Sequence, residues 1–116
     1  MHAAANIVVG IVALIHVYIL VLEMFLWERP LGLRAFDMDE NFAAATRILA
    51  ANQGLYNGFL AAGLFWGLYT GDIHVQRFFL GCVVTAGVYG ALTAHAKILW
   101  IQAAPAALGL ILLGLV

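Results

Sequence analysis

Apolar blocks separated by short polar connectors organise the chain, at residues 3–27, 52–71, 78–94 and 98–116. About 20 apolar residues cross a bilayer as a helix, so the pattern predicts four transmembrane spans and leaves no soluble domain over. At about 1.5 Å per residue, each span comes close to a hydrocarbon thickness of about 30 Å with little tilt. The expected fold is all-α: a four-helix integral membrane bundle in a single domain, 1–116. The first block has no basic start and no small-residue cleavage site before Leu26, so it reads as a membrane helix and not as a removed signal.

The connector 28–51 holds Glu28, Arg29, Arg34, Asp37, Asp39 and Glu40, over half of the charged residues, and belongs in water or among headgroups. Pro30 and Gly32 stop the first helix. Asp37 with Glu40 has the spacing of a capping box with Asp37 as the cap, and the next proline is Pro105, so a second helix is predicted to run to about Gly71. Its first turns, Phe42 to Ala51, project beyond the bilayer or lie along its surface. Gly71, Asp72 and His74 make the next turn, and His95 with Lys97 the last.

Composition agrees with the pattern. Of 116 residues, 66% are hydrophobic and 9% charged, against roughly 45–50% apolar residues in a soluble domain; the mean hydropathy is +1.03. A net charge of -1 offers no basic field for nucleic acid. Cys82 is the single cysteine, His74 and His95 fall near opposite ends of the third block, and no metal-ligand spacing occurs, so neither metal nor cofactor is expected. Arg29, Arg34, Arg47 and Lys97 share one side against Arg77 on the other. That bias places the connectors 28–51 and 95–97 in the cytoplasm and both termini outward, across a bacterial inner (cell) membrane.

Polar residues inside apolar blocks carry what chemistry there is. Asn52, Gln53, Tyr56 and Asn57 open the second span; Asn52 pairs with Tyr56 and Gln53 with Asn57 at four-residue spacing. Amides in hydrocarbon need a partner, and either helix-to-helix bonding or ligand binding supplies one. His16 and Glu23 stand seven residues apart on one face of the first span. Glu23 can carry a proton or bind a ligand, form an ion pair with Arg47 or Arg34, or simply reach the interface. His16 is either a satisfied core residue or a general acid/base; haem or metal ligation is the weaker reading.

The third span adds Cys82, Thr85, Tyr89 and Thr93 as a stripe that can face the amides, although the threonines can bond their own helix a turn back. Gln102 near Pro105 either satisfies the carbonyl that the proline exposes or points into the same interior. Gly54, Gly58 and Ala62 form one small-residue stripe and Gly63, Gly67 and Gly71 another, with Ala86, Gly90 and Ala94 as a matching face. Such stripes fit close helix packing, including that of a homo-oligomer, expected to be a dimer. Trp27, Trp66, Trp100 and Tyr69 sit near span ends as interfacial anchors.

The runs His16-Val-Tyr-Ile-Leu-Val-Leu-Glu23-Met24-Phe-Leu-Trp27 and Asn52-Gln53-Gly54-Leu-Tyr56-Asn57-Gly58, with the step from Gln102 to Pro105, resemble a family of small bacterial four-helix membrane proteins known only as domain of unknown function 1304. The resemblance covers essentially the whole chain. Matching positions are His16, Tyr18, Glu23, Trp27, Arg34, Asn52, Gln53, Tyr56, Asn57 and Gln102; the resemblance implies topology and no activity. The candidate ligand-binding set is therefore His16, Glu23, Asn52, Gln53, Tyr56, Asn57, Tyr89 and Gln102, with no catalytic residue assigned. Three functions compete: binding or transport of a small molecule or lipid, an isomerase-like acid/base enzyme on a lipophilic substrate, and a structural subunit of a membrane complex.

Overall fold

The computed structural model describes residues 2–116, which are all-α. Helix α1 spans His2–Met24, α2 Pro30–Ala35, α3 Glu40–Thr70 and α4 Ile73–Thr93; a π-helical turn, Leu99–Ala103, leads into α5, Ala104–Gly114. The chain falls into two compact units, Ile15–Phe59 and Met1–Leu14 with Leu60–Val116, and α1 and α3 each contribute to both.

In the unit Ile15–Phe59, α1 ends earlier than its apolar run suggests. The amides of Phe25 and Leu26 both reach the carbonyl of Val21, at 3.0 and 3.1 Å, and the chain then turns. Pro30 does not stop this helix; it opens α2 from the first helical position, where its missing N–H costs nothing. Sequence reading missed α2 altogether. Gly32 lies against the carbonyls of Leu26 and Trp27, where a Cβ would collide with backbone.

Helix α2 closes on Asp37, in the left-handed region at φ 53°. Met38 N–H donates to Leu33 O at 2.9 Å and Asp37 N–H to Arg34 O at 3.4 Å, the paired bonds of a Schellman turn. Because Asp37 serves that turn, it does not cap α3. The cap is Asp39, whose Oδ1 accepts from Phe42 N–H at 2.7 Å. From Glu40 the helix then runs unbroken to Thr70. Ala43, Ala50 and Gly54 form its buried face in this unit. Small residues permit the approach: a Cβ on Gly54 would stand 2.5 Å from Met24 Cγ and 3.3 Å from Leu20 O, and one on Gly58 2.7 Å from Leu20 Cδ1.

The other unit is built on Ala5, Val9, Val12, Ala13, Leu64, Leu80, Val83, Ala106 and Leu113. Here α3 ends on Gly71 at φ 69°, with Asp72 N–H donating to Gly67 O at 3.0 Å, the same turn with glycine in the left-handed position. Asp72 then caps α4, accepting from His74 N–H at 2.9 Å and Val75 N–H at 3.3 Å. Gln76 is buried, and its Nε2 donates to Gly67 O at 3.0 Å. That carbonyl therefore ties the end of one helix to the start of the next.

Most glycines of the two stripes make their close contacts within the chain. Gly54 and Gly58 take Met24 and Leu20; Gly63 takes the Phe79 ring and Gly67 takes Gln76. Ala62 is exposed while Ala61 is buried, and Gly71 packs against nothing because it makes the turn. On α4 a Cβ on Gly87 would lie 2.7 Å from Ala103 N and one on Gly90 3.2 Å from Ile98 Cγ2, while Ala86 and Ala94 are exposed. The π-helical turn lies directly before Pro105, where the ordinary ladder loses a donor.

Helices α1 and α4 are long and apolar enough to cross a membrane. The apolar stretch Leu99–Gly114 is shorter, and α3, with its charged and amide-rich first half, does not meet the same test of length and composition.

Candidate functional site

Glu23 lies on the last turn of α1, at a half-buried position. Asn57 lies opposite on α3, and its Nδ2 donates to Glu23 Oε1 at 2.6 Å while also donating to Gln53 O at 3.1 Å, one turn back. Both amide protons are thus used, one on a carboxylate and one on its own helix. The pair joins positions 34 residues apart in the chain. This contact orients the carboxyl group and pins α1 to α3 in this unit. Gly54, one turn before Asn57, makes it possible: any side chain there would push against Glu23 Cβ, 3.1 Å from the place of its Cβ. The ion pair with Arg47 or Arg34 is not formed; Glu23 has an amide for a partner.

The remaining amides do not join them. Asn52 is exposed and donates to Ile48 O at 2.9 Å, and Gln53 is exposed as well. Tyr56 points outward with Phe59, their rings 6.2 Å apart. His16 is wholly buried and partnered. Tyr89 and Gln102 belong to the other unit. Tyr89 is 70% exposed on a shallow groove with Cys82, Thr85 and Arg77, and Gln102 is half-buried and partnered in the π-helical turn. Thr85 and Thr93 bond the carbonyls of Gly81 and Tyr89 on their own helix, at 2.8 and 2.7 Å.

Beside the pair opens a cleft of about 430 Å³. Its wall comes from the end of α1 and the following turn, with Glu23, Phe25, Trp27, Glu28 and Arg29, and from α3, with Arg47, Ile48 and Asn52. Trp27 is no simple surface anchor. Its Nε1 donates to Thr46 Oγ1 at 3.1 Å, and that hydroxyl donates onward to Phe42 O at 2.7 Å. Its ring leans on Phe36 at 4.9 Å. The turn that carries Glu28 and Arg29 is thereby fixed against both α2 and α3. Sequence reasoning overlooked Thr46 and Gln76; a threonine four residues after Phe42 reads as an ordinary back-bonding residue, and Gln76 reads as part of a turn.

Comparison with known proteins adds kinship without an activity. A family model described as "Protein of unknown function (DUF1304)" matches residues 10–114. An "Uncharacterized protein YpaA" from Lactococcus lactis subsp. lactis (strain IL1403) is 32% identical over 105 residues, which cover 87% of this chain and 88% of that protein. No solved structure matches the chain. The matched region takes in Glu23, Asn57 and the whole of the cleft, and the chain belongs to the DUF1304 family of proteins of unknown function.

Proposed function

We propose that the protein is a multi-pass integral membrane protein that binds a small molecule beside the Glu23–Asn57 pair. The observation that carries this reading is the 2.6 Å bond from Asn57 to Glu23 at the edge of an open, charged cleft. A packing contact needs no such opening, and a surface carboxylate needs no such clamp.

The membrane half of the proposal rests on what the apolar helices leave uncovered. Only 28% of the apolar window of α1 and 22% of that of α4 is buried within the fold. Ile7, Ile11 and Leu14 on α1, and Phe78 and Leu92 on α4, are exposed. Contiguous apolar surface of this kind calls for lipid or a partner. Helix α3 and the stretch Leu99–Gly114 supply the other two crossings, the first with its amino-terminal turns outside the bilayer. Arg29, Arg34, Arg47 and Lys97 then lie in the cytoplasm and both termini outside, and reporter fusions at the two termini and after Arg34 test that orientation.

His16 and Glu23 stand seven helical residues apart, about 10 Å along the axis, which is too far for the two to share a proton, and the open cleft beside Glu23 supports the binding reading. The test is native mass spectrometry of protein purified in mild detergent. A bound molecule at stoichiometric ratio in the wild type, lost from both Glu23→Gln and Asn57→Ala, is the expected result. A wild-type spectrum free of any bound molecule, or one retained by both variants, refutes it.

A further inference from the structure

We propose that the cleft takes the zwitterionic head of an amphiphile, an ammonium and a phosphate on one short linker; this rests on the binding reading above and names its ligand class. Four ionic side chains line the cleft, Glu23, Glu28, Arg29 and Arg47, two of each sign. They do not neutralise one another: among the described residues, Glu28, Arg29 and Arg47 form no ion pair or side-chain hydrogen bond, and Glu23 gives Oε1 to Asn57. A purely anionic guest would satisfy the guanidiniums and leave two carboxylates facing it; a purely cationic guest does the reverse. A guest carrying both signs can meet both kinds of group at once.

The placement of the groups defines the pose. Arg47 on α3 and Arg29 on the turn hold the phosphate, since guanidinium groups bind phosphate in bidentate fashion. Glu28 and Glu23 Oε2 receive the ammonium, beside the Trp27 side chain that also lines the cleft. Met24, Phe25, Ile48 and Ala51 complete the lining with apolar surface on which a chain can lie. The cleft also sits where the apolar run of α1 gives way to the charged connector, the depth at which a lipid head and its first methylenes meet.

The test titrates the full-length protein, in an uncharged maltoside detergent, with four probes read by native mass spectrometry. Lysophosphatidylethanolamine carries both charges and a chain, lysophosphatidylglycerol only the anion with a chain, and dodecylammonium only the cation with a chain; phosphoethanolamine carries both charges without a chain. The zwitterionic lysolipid should bind about tenfold or more tightly than either singly charged chain, the size of one lost charge-assisted contact. Arg47→Ala should lower its affinity about tenfold and leave dodecylammonium unchanged, and Glu28→Gln should narrow the gap to lysophosphatidylglycerol. Both residues are exposed, and unchanged helical circular dichroism verifies the variants.

Phosphoethanolamine binding as tightly as the lysolipid identifies a free head group as the guest; weaker binding identifies a lipid. Equal affinity of the three chained probes, or an Arg47→Ala variant indistinguishable from wild type, overturns the zwitterion proposal. The binding reading fails separately, on Glu23→Gln and Asn57→Ala retaining whatever co-purifies.

Discussion

The Glu23–Asn57 bond can be weighed by a double-mutant cycle. Asn57→Ala removes the donor at 2.6 Å and leaves a half-buried carboxylate with its Oε1 unbonded. Hydrogen bonds to charged groups contribute about 1.5–3 kcal/mol in water-soluble proteins. Side-chain hydrogen bonds measured within a membrane protein average about 0.6 kcal/mol with a maximum near 1.7. The position lies at the end of an apolar helix and is partly open to the cleft, so the expected coupling falls between these values, about 1–2 kcal/mol. Glu23→Gln keeps a carbonyl oxygen in place of Oε1 and should lose less than half of that, because Asn57 can still donate to it. Glu23→Ala and Asn57→Ala, singly and together, are unfolded reversibly in mixed micelles of maltoside and dodecyl sulfate, following helical circular dichroism. A double variant destabilised by the full sum of the two singles, within about 0.3 kcal/mol, would show that the bond contributes nothing and would remove the basis for a clamped carboxylate.

Other positions give equally direct tests by the same unfolding assay. Asp39→Ala should cost about 1 kcal/mol through loss of the α3 cap, whereas Asp37→Gly should gain up to about 1 kcal/mol by relieving a non-glycine residue at φ 53°; the reverse order would restore Asp37 as the cap. Gly71→Ala should cost about 1 kcal/mol although nothing lies within 4 Å of the new methyl, since the cost is conformational. Gly87→Ala should be worse than Gly58→Ala by about 1–2 kcal/mol, because the first methyl meets the backbone N of Ala103 and the second meets only the tip of Leu20. Gln76→Met should change stability by less than about 1 kcal/mol: Gly67 O keeps the Asp72 amide, and the buried Gln76 Oε1, which has no hydrogen-bond partner, is removed.

The helices were legible wherever apolar length or a capping residue marked them. The long helix through Asn52, the Gly71–Asp72 turn and the back-bonding of Thr85 and Thr93 all follow from local rules. Residues 25–39 were not legible, because two features there share one signal. Asp37 and Asp39 are both acids just ahead of a helix, and only the Schellman turn that ends α2 decides which of them is free to cap. Likewise Pro30 marks either a stop or a start, and α2 is too short to show a periodic face of its own.

The candidate site was legible as a list of residues and illegible as an arrangement. Polarity within apolar sequence identified Glu23 and Asn57 correctly as residues that need partners, since an unbonded carboxylate or amide is costly wherever water is scarce. It gave Asn52, Gln53 and Tyr56 the same weight, because helical spacing places residues around a cylinder without saying which way the cylinder faces. Gly54 is what sets the facing. Its bare backbone is where α3 meets Glu23 and Met24, and Asn57, three residues on, turns toward the carboxyl group while Gln53 and Tyr56 turn outward and Asn52 lines the cleft. The glycines were thus the informative residues for the geometry of the site, and the amides for its chemistry. A larger residue at Gly54 should accordingly disable the Glu23–Asn57 contact while leaving both of its members in place.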